Sequence, residues 1–260
     1  MQTHIHYKRQ KDIVTLTFAG ETSTKPPTLD LEVLDRLAAV LERIEAEQEQ
    51  LRAVIIRSES AKYFVVGANV NALRELDTMT IGPWVQRGHE VFNWLTELPL
   101  PVIAWVEGYA LGGGLELALA CDLILAADTA KLGQPEARLG LVSGWGGSHR
   151  LPRRVGMGRA KELFFTGKIV DAASAYQMGL VDFVGDKEAM QAYLDELLNS
   201  IRSCSPLAVA QMKLLLDDSL DTTIDENGLA EANASYRCLE SSDTQERIAA
   251  FLASRQHKAT

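Results

Sequence analysis

The sequence has few cysteines, no run of positive charge and no long hydrophobic stretch. Its 3 cysteines are scattered and lack Cys-x-x-Cys spacing, which argues against a disulfide framework and against a zinc site. Lys and Arg number 26 against 35 Asp and Glu, and the net charge of -9 argues against a nucleic-acid binder. Residues 1–11 are too polar for a signal peptide, and the apolar stretches are too short to span a membrane. We therefore expect a cytoplasmic protein with neither nucleic acid nor membrane as a partner.

The rest of the composition is typical of a folded globular protein, with 47% hydrophobic and 23% charged residues. Short β-rich runs alternate with amphipathic helical patterns in the first part of the chain. This alternation predicts βα units around a parallel sheet, so the expected fold class is α/β. The predicted strands are residues 13–18, 53–57, 102–106 and 123–126, and the predicted helices are residues 31–50 and 83–95.

Beyond residue 156 strand patterns become rare and helical patterns recur. We expect a core at residues 1–199 that carries the active site, followed by a helical C-terminal region at residues 200–260. No repeat, low-complexity segment or Gly/Ser linker interrupts the chain. The predicted helices of this part are residues 160–165, 172–178, 190–201, 207–220 and 229–255.

A glycine cluster follows the predicted strand at 102–106 and includes Gly112 and Gly113. Good helix formers come next, so the cluster is expected to expose backbone N–H groups at a helix amino terminus. Glu116 lies about one helical turn after Gly113, on nearly the same face. The spacing is neither GxGxxG nor a Walker loop, which disfavours a nucleotide-phosphate site. The alternative is that Glu116 only complements the helix dipole and the glycines only permit tight packing.

A second glutamate, Glu136, follows Gly133-Gln-Pro in the sequence. Pro135 disfavours a helix at the preceding residue, so Glu136 is expected on an irregular segment after a strand, where active-site groups often gather. Taken alone, a glutamate in a loop is more often a solvated side chain. Together, two carboxylates of different pKa and a pair of N–H donors could add water to an activated double bond.

A third segment, Gly67-Ala68-Asn69-Val70, follows the predicted strand at 53–57. Its small residues would let the backbone N–H of Ala68 point into a cleft. The alternative is an ordinary turn of small residues.

These motifs resemble the enoyl-CoA hydratase/isomerase family, also called the crotonase family. The resemblance covers nearly the whole chain and implies a crotonase-like ββα superhelix with a helical C-terminal trimerisation region, assembled as a homotrimer or a dimer of trimers. The segments that carry it include Phe64-Val-Val-Gly-Ala68-Asn69, Gly108-Tyr-Ala-Leu-Gly-Gly-Gly-Leu-Glu116, Cys121-Asp122, Gly133-Gln-Pro-Glu136 and Gly146-Gly-Ser-His-Arg-Leu151.

The resemblance also implies roles for individual residues. Ala68 and Gly113 would form the oxyanion hole for the thioester oxygen, and Glu116 and Glu136 would be the catalytic acids. The implied reaction is reversible syn addition of water to a 2-enoyl-CoA, with acyl-CoA as the substrate and with neither a metal nor a redox cofactor. The residues expected to contact substrate are Gly67, Asn69, Val70, Gly112, Trp145 and Gly146.

Several positions depart from the family pattern. Asn69 stands where the family usually has Asp, and Val66 stands where it has a smaller residue. In the family, an Asn-Arg-Pro-like segment near the amino terminus meets the nucleotide of coenzyme A, and residues 20–27 do not match it. This leaves Lys25 as a candidate for contacting a phosphate of coenzyme A. The family's C-terminal Arg-x-Pro-x-Phe is also missing, so Arg255 or Lys258 is a candidate for contacting coenzyme A in a neighbouring subunit.

Other functions compete with hydration. The nearest is an enoyl-CoA isomerase, or another acyl-CoA lyase or hydrolase of the same family, and a more remote one is a non-catalytic binding protein. A serine hydrolase using Ser143 or Ser148 near His149 is disfavoured, because neither serine lies in GxSxG. The acyl pocket is expected to include residues 70–81 and Val142, with Trp145 limiting or stacking on the acyl group.

Overall fold

A computed structural model of the chain describes residues 3–22 and 24–256. Its internal contacts divide the chain into two units, residues 1–196 and 197–260. Lys258, one candidate for contacting coenzyme A, lies outside the described residues.

Strands and helices alternate through the first unit. Its strands are β1 (His4–Gln10), β2 (Ile13–Ala19), β3 (Ala53–Ser58), β4 (Tyr63–Val65), β5 (Val102–Val106), β6 (Tyr109–Leu111), β7 (Leu123–Ala127), β8 (Lys131–Gly133), β9 (Ile169–Asp171) and β10 (Phe183–Gly185). Its helices are α1 (Leu31–Glu47), α2 (Val70–Arg74), α3 (Ile81–Glu97), α4 (Gly113–Leu119), α5 (Gly147–Val155), α6 (Met157–Thr166) and α7 (Ala172–Gln177), and α8 (Lys187–Ser203) contains the boundary between the units.

The larger sheet of this unit has the strand order β1-β2-β3-β5-β7-β10. Strand β1 is antiparallel to β2, and every other pair is parallel. The predicted parallel α/β sheet is therefore confirmed. The interior strand β5 is buried along its whole length, as expected for a parallel strand covered on both faces.

A smaller sheet has the order β4-β6-β8-β9 and lies next to the glycine-rich turns. Its strands have three residues each, too few for an alternating pattern to be recognised in the sequence. These strands position the site, since β4, β6 and β8 lead directly into the segments that carry Ala68, Gly113 and Glu136.

The predicted helix at 31–50 forms as α1 followed by a 3₁₀ turn at Gln48–Gln50. It begins at Asp30, whose carboxylate accepts a hydrogen bond from the Val33 N–H at 3.0 Å. The helix buries an apolar stripe with the period expected of an amphipathic helix, namely Val33, Leu34, Leu37, Ala38, Leu41 and Ile44.

The second unit contains α9 (Pro206–Asp218), α10 (Ile224–Glu240) and α11 (Ser242–Gln256). The prediction of one helix over 229–255 is wrong, because the helix is interrupted at Ser241. This residue has an extended backbone conformation, and its hydroxyl accepts a hydrogen bond from the Thr244 N–H at 3.2 Å. Ser241 therefore ends one helix and caps the next, which a continuous apolar pattern does not reveal.

Candidate active site

The glycine-rich turn after β6 places the Gly113 N–H at the start of α4, as the sequence predicted. Gly112 has a φ of 54°, a conformation that favours glycine. A methyl group at Gly112 would also lie 2.9 Å from Oε1 of Glu136. In the part of the chain that the structure describes, the Gly113 N–H has no acceptor. The turn thus presents an open donor beside a carboxylate.

A second open donor is the backbone N–H of Ala68. The Leu29 N–H donates to the Gly67 carbonyl at 2.9 Å, and the Asn69 N–H donates to the Leu29 carbonyl at 2.7 Å. These two bonds form a parallel β-bridge between Leu29 and Ala68. The bridge uses the Gly67 carbonyl and the Asn69 N–H, and the N–H of Ala68 itself has no acceptor among residues 3–22 and 24–256. A methyl group at Gly67 would lie 3.8 Å from the Gly113 nitrogen, so the two segments are adjacent.

Glu116 is 2% exposed and is held through one oxygen. Its Oε1 accepts hydrogen bonds from the Trp145 N–H and the Gly147 N–H, both at 2.8 Å, and from the Ser143 hydroxyl. Within the described residues Oε2 accepts none. Three donors on one oxygen fix the orientation of the carboxylate. Its other oxygen, Oε2, is the one left open to a further partner.

Glu136 lies in a different environment. It begins a 3₁₀ turn at Glu136–Leu139, where the sequence predicted an irregular segment, and it is half-buried. Burial raises the pKa of Glu136 from 4.5 to about 7, a backbone hydrogen bond opposes this, and the negative charge of Glu116 raises it further. At neutral pH Glu136 can therefore carry a proton.

Gln134 is a site residue that the sequence did not single out, although it lies in the Gly133-Gln-Pro-Glu136 motif. The side chain is fully buried, and its amide faces the carboxylate of Glu136. A polar residue at the end of a buried strand, two positions before a glutamate, was the available signal.

The indole of Trp145 is buried in the core. Its side chain is 1% exposed, with its ring centroid 4.3 Å from that of Trp84 and 5.8 Å from that of Phe92. The role expected for the ring at the acyl group stays a prediction. What Trp145 contributes to the site is its backbone N–H, which donates to Glu116.

The remaining expected contacts lie around these groups. Val70 is 57% exposed at the start of α2, and Gly146 is buried immediately before α5. Asn69 is buried, and its side-chain oxygen accepts a hydrogen bond from the Asn71 N–H at 3.1 Å. Its side-chain nitrogen lies 3.4 Å from a carboxylate oxygen of Asp30. An Asp at position 69 would bring two carboxylates together, which gives a physical reason for Asn here.

The candidate residues for other roles are also engaged elsewhere. Lys25 forms an ion pair with Glu21 at 2.7 Å, and the Arg255 guanidinium lies 4.7 Å from the centroid of the Phe251 ring. Ser148 and His149 are consecutive residues of α5, which point in different directions and do not form a nucleophile and base pair.

Over residues 3–22 and 24–256, no group of three or more His, Cys, Asp or Glu side chains could hold a metal ion. None of the helices in this part of the chain is both long enough and apolar enough to cross a bilayer.

A family model described as enoyl-CoA hydratase/isomerase matches residues 9–259. The chain belongs to this family. The short-chain-enoyl-CoA hydratase of Clostridium acetobutylicum is 36% identical over 228 residues, which are 88% of this chain and 87% of that protein. The crotonyl-CoA hydratase of Syntrophomonas wolfei is 37% identical over 226 residues, covering 87% of this chain and 85% of that protein.

Solved structures agree with this assignment. An enoyl-CoA hydratase from Bacillus anthracis has a TM-score of 0.88 at 31% identity and covers 96% of each chain. A second structure, from Geobacillus kaustophilus, has a TM-score of 0.91 at 27% identity and covers 98% of this chain and 95% of that chain. The enoyl-CoA hydratase/isomerase family and the crotonase-like α/β fold expected from the sequence are therefore confirmed.

Proposed function

We propose that the protein is an enoyl-CoA hydratase that adds water reversibly and with syn geometry to a 2-enoyl-CoA, giving a 3-hydroxyacyl-CoA. The observation that carries this proposal is the different surroundings of two neighbouring glutamates. Glu116 is anchored by hydrogen bonds to one oxygen and leaves the other open, whereas burial raises the pKa of Glu136 to about 7. A base for water and an acid for carbon are the two groups that hydration needs. The hydratase names of the relatives support the same reaction.

The open N–H groups of Ala68 and Gly113 would bind the thioester oxygen. As water attacks C3, negative charge moves onto this oxygen, and two fixed donors stabilise the resulting enolate. Gly67 and Gly112 permit the close approach of the two backbone segments that present these donors.

The proton transfers follow from the same geometry. Oε2 of Glu116 takes a proton from water as the oxygen–C3 bond forms. Glu136 then gives its proton to C2 of the enolate, which completes the addition of H and OH. The proton held by Glu116 returns to Glu136 through solvent before the next turnover. These steps need no metal or redox cofactor, and coenzyme A is part of the substrate. A chelator should therefore leave the activity unchanged.

The test is the loss of the conjugated enoyl-thioester absorbance when the protein meets crotonyl-CoA, with 3-hydroxybutyryl-CoA identified as product. Glu116→Gln and Glu136→Gln should each lower kcat about 100- to 10,000-fold, the range for a lost acid or base. Glu42→Gln changes an exposed glutamate of α1 and serves as the control. Full activity in either of the first two variants would contradict the proposal.

An isomerase would show a different pattern in the same experiment. It would convert a 3-enoyl-CoA to the 2-enoyl isomer without forming hydroxyacyl product, and a single glutamate would shuttle the proton. A relative named enoyl-CoA isomerase/hydratase makes this comparison necessary. Tight binding of RNA without turnover of any acyl-CoA would instead favour the non-catalytic alternative.

We also propose that the protein assembles as a homotrimer or a dimer of trimers, works in the cytoplasm and serves fatty acid β-oxidation. The second unit exposes large apolar side chains that a subunit interface would cover, among them Leu220, Ile224, Leu229, Tyr236 and Phe251. None of the three cysteines, all within the described residues, forms a disulfide, which suits a reducing compartment. Light scattering should give three or six times the 28.5 kDa chain mass, and a monomer mass would contradict the assembly.

A further inference from the structure

The loop between the 3₁₀ turn at Glu136–Leu139 and α5, together with the first residue of α5, supplies all three donors that hold Glu116. Two of them, the N–H groups of Trp145 and Gly147, belong to the backbone. The third is the hydroxyl of Ser143, which donates to the same oxygen, Oε1. Ser143 is therefore the one donor of the three that a side-chain substitution can remove.

The hydroxyl occupies a space that the neighbouring backbone leaves open. A methyl group at Gly147 would lie 2.4 Å from Oγ of Ser143 and 3.1 Å from Cγ of Glu116. Thus Gly147 has no room for a side chain, and the space beside its α-carbon is filled by the Ser143 hydroxyl and the stem of Glu116. The close packing restricts how far the hydroxyl and the carboxylate can turn away from each other.

We propose that Ser143 is a positioning residue for Glu116. By donating to Oε1, its hydroxyl fixes the rotation of the carboxylate so that Oε2 faces the attacking water. This inference rests on the proposed hydration reaction, in which Glu116 is the base. A hydrogen bond to a charged group is among the stronger ones in proteins, and small errors in the position of a catalytic group are costly.

Ser143 acts on Glu116 and not on the groups that react with C2 of the substrate. Glu136 and the two open N–H groups would suffice to exchange an α-proton of a saturated acyl-CoA with solvent. In that reaction ionised Glu136 removes the C2 proton, the oxyanion hole stabilises the enolate, and a solvent deuteron returns to C2. Glu116 takes no part in it, so a defect confined to Glu116 leaves this exchange unchanged.

The experiment compares Ser143→Ala and Ser143→Cys with Ser148→Ala, the exposed control five positions further along. The cysteine keeps the shape of serine but donates weakly, so it tests the hydrogen bond even if the alanine variant folds poorly. For crotonyl-CoA hydration we expect kcat to fall about tenfold in both Ser143 variants with KM unchanged. The exchange of butyryl-CoA α-protons in deuterated buffer should proceed at the wild-type rate in all three.

Each other outcome has a definite meaning. Wild-type hydration by both Ser143 variants would overturn the positioning role and leave the hydratase assignment intact. An equal fall in hydration and α-proton exchange would show a general structural defect and would also overturn it. Absence of hydration by the unmodified protein would overturn the proposed function itself, and the role of Ser143 with it.

Discussion

In the amide orientation that pairs donor with acceptor, the side-chain nitrogen of Gln134 lies 2.8 Å from Oε1 and 3.1 Å from Oε2 of Glu136. The amide thus spans both oxygens of the carboxyl whose pKa burial raises to about 7. Donors of this kind favour the ionised form and oppose the effect of burial. Gln134 therefore favours the ionised form of Glu136.

Replacing Gln134 with Met should move the pH dependence of hydration. Met fills a similar volume but donates no hydrogen bond, so the pKa of Glu136 should be higher in Gln134→Met than in the wild-type protein. Hydration uses protonated Glu136, so kcat/KM falls as the pH rises through this pKa. In Gln134→Met this falling limb should lie about one pH unit higher, as a lost hydrogen bond implies. Gln86→Met, on the exposed surface of α3, is the control, and an unchanged limb in Gln134→Met would contradict the prediction.

Glu136 should also make folding stability depend on pH. Its pKa in the folded protein, about 7, lies above the ordinary value of 4.5. The stability it contributes is thus fully present below pH 4.5 and is lost as the pH rises through 7, because the folded state disfavours the charge. Glu136→Gln removes the charge and keeps the volume, so at pH 8.5 it should unfold with a free energy about 1–3 kcal/mol higher than wild type.

Urea unfolding of both proteins at pH 4.5 and pH 8.5 measures this difference. The gap between variant and wild type should be much smaller at the lower pH. Glu42→Gln, which changes an exposed glutamate, should show no gap at either pH. A wild-type protein as stable as Glu136→Gln at pH 8.5 would contradict the raised pKa.

The buried indole of Trp145 predicts an unusual effect of alanine in helix α3. Gly88 lies inside α3, where Gly to Ala ordinarily stabilises a helix by about 1 kcal/mol. A methyl group there would lie 1.9 Å from Cδ1 of Trp145, far inside contact distance. Gly88→Ala should therefore lower the free energy of unfolding by about 1–3 kcal/mol, the usual cost of overpacking.

The matched control is Gly158→Ala in α6, where nothing lies within 4 Å of the added methyl group. It should leave the thermal midpoint unchanged or raise it slightly. Stabilisation by both substitutions would mean that the indole does not fill the space beside Gly88.

Several elements of the site could be predicted because their signals are local. The glycines of residues 112–114 require a turn, the following residues favour helix, and the spacing places Glu116 one turn beyond Gly113. The long strands and helix α1 could be predicted for the same reason, since each carries its own apolar run or hydrophobic period. The three-residue strands could not be predicted, because three residues are too few to show a period. The break at Ser241 could not be predicted either, because the apolar pattern continues across it.

Other features arise between segments that are distant in the chain. The Ser143, Trp145 and Gly147 donors lie 27 to 31 positions from Glu116 and meet it only after folding. The burial of the Trp145 indole could not be predicted, since a large aromatic beside glycines fits the lining of a pocket as well as a core. Packing against Trp84 and Phe92 decides for the core.

The sequence by itself determined the α/β class, the family and the two glutamates, because these depend on residue types and spacings along the chain. Only the tertiary structure decided what each glutamate can do. Hydrogen bonds and burial set the charge of a carboxyl, and both are properties of its surroundings. Folding gives Glu116 three donors and gives Glu136 a half-buried site beside another carboxylate, and this difference is the basis of the opposite roles proposed for two identical side chains.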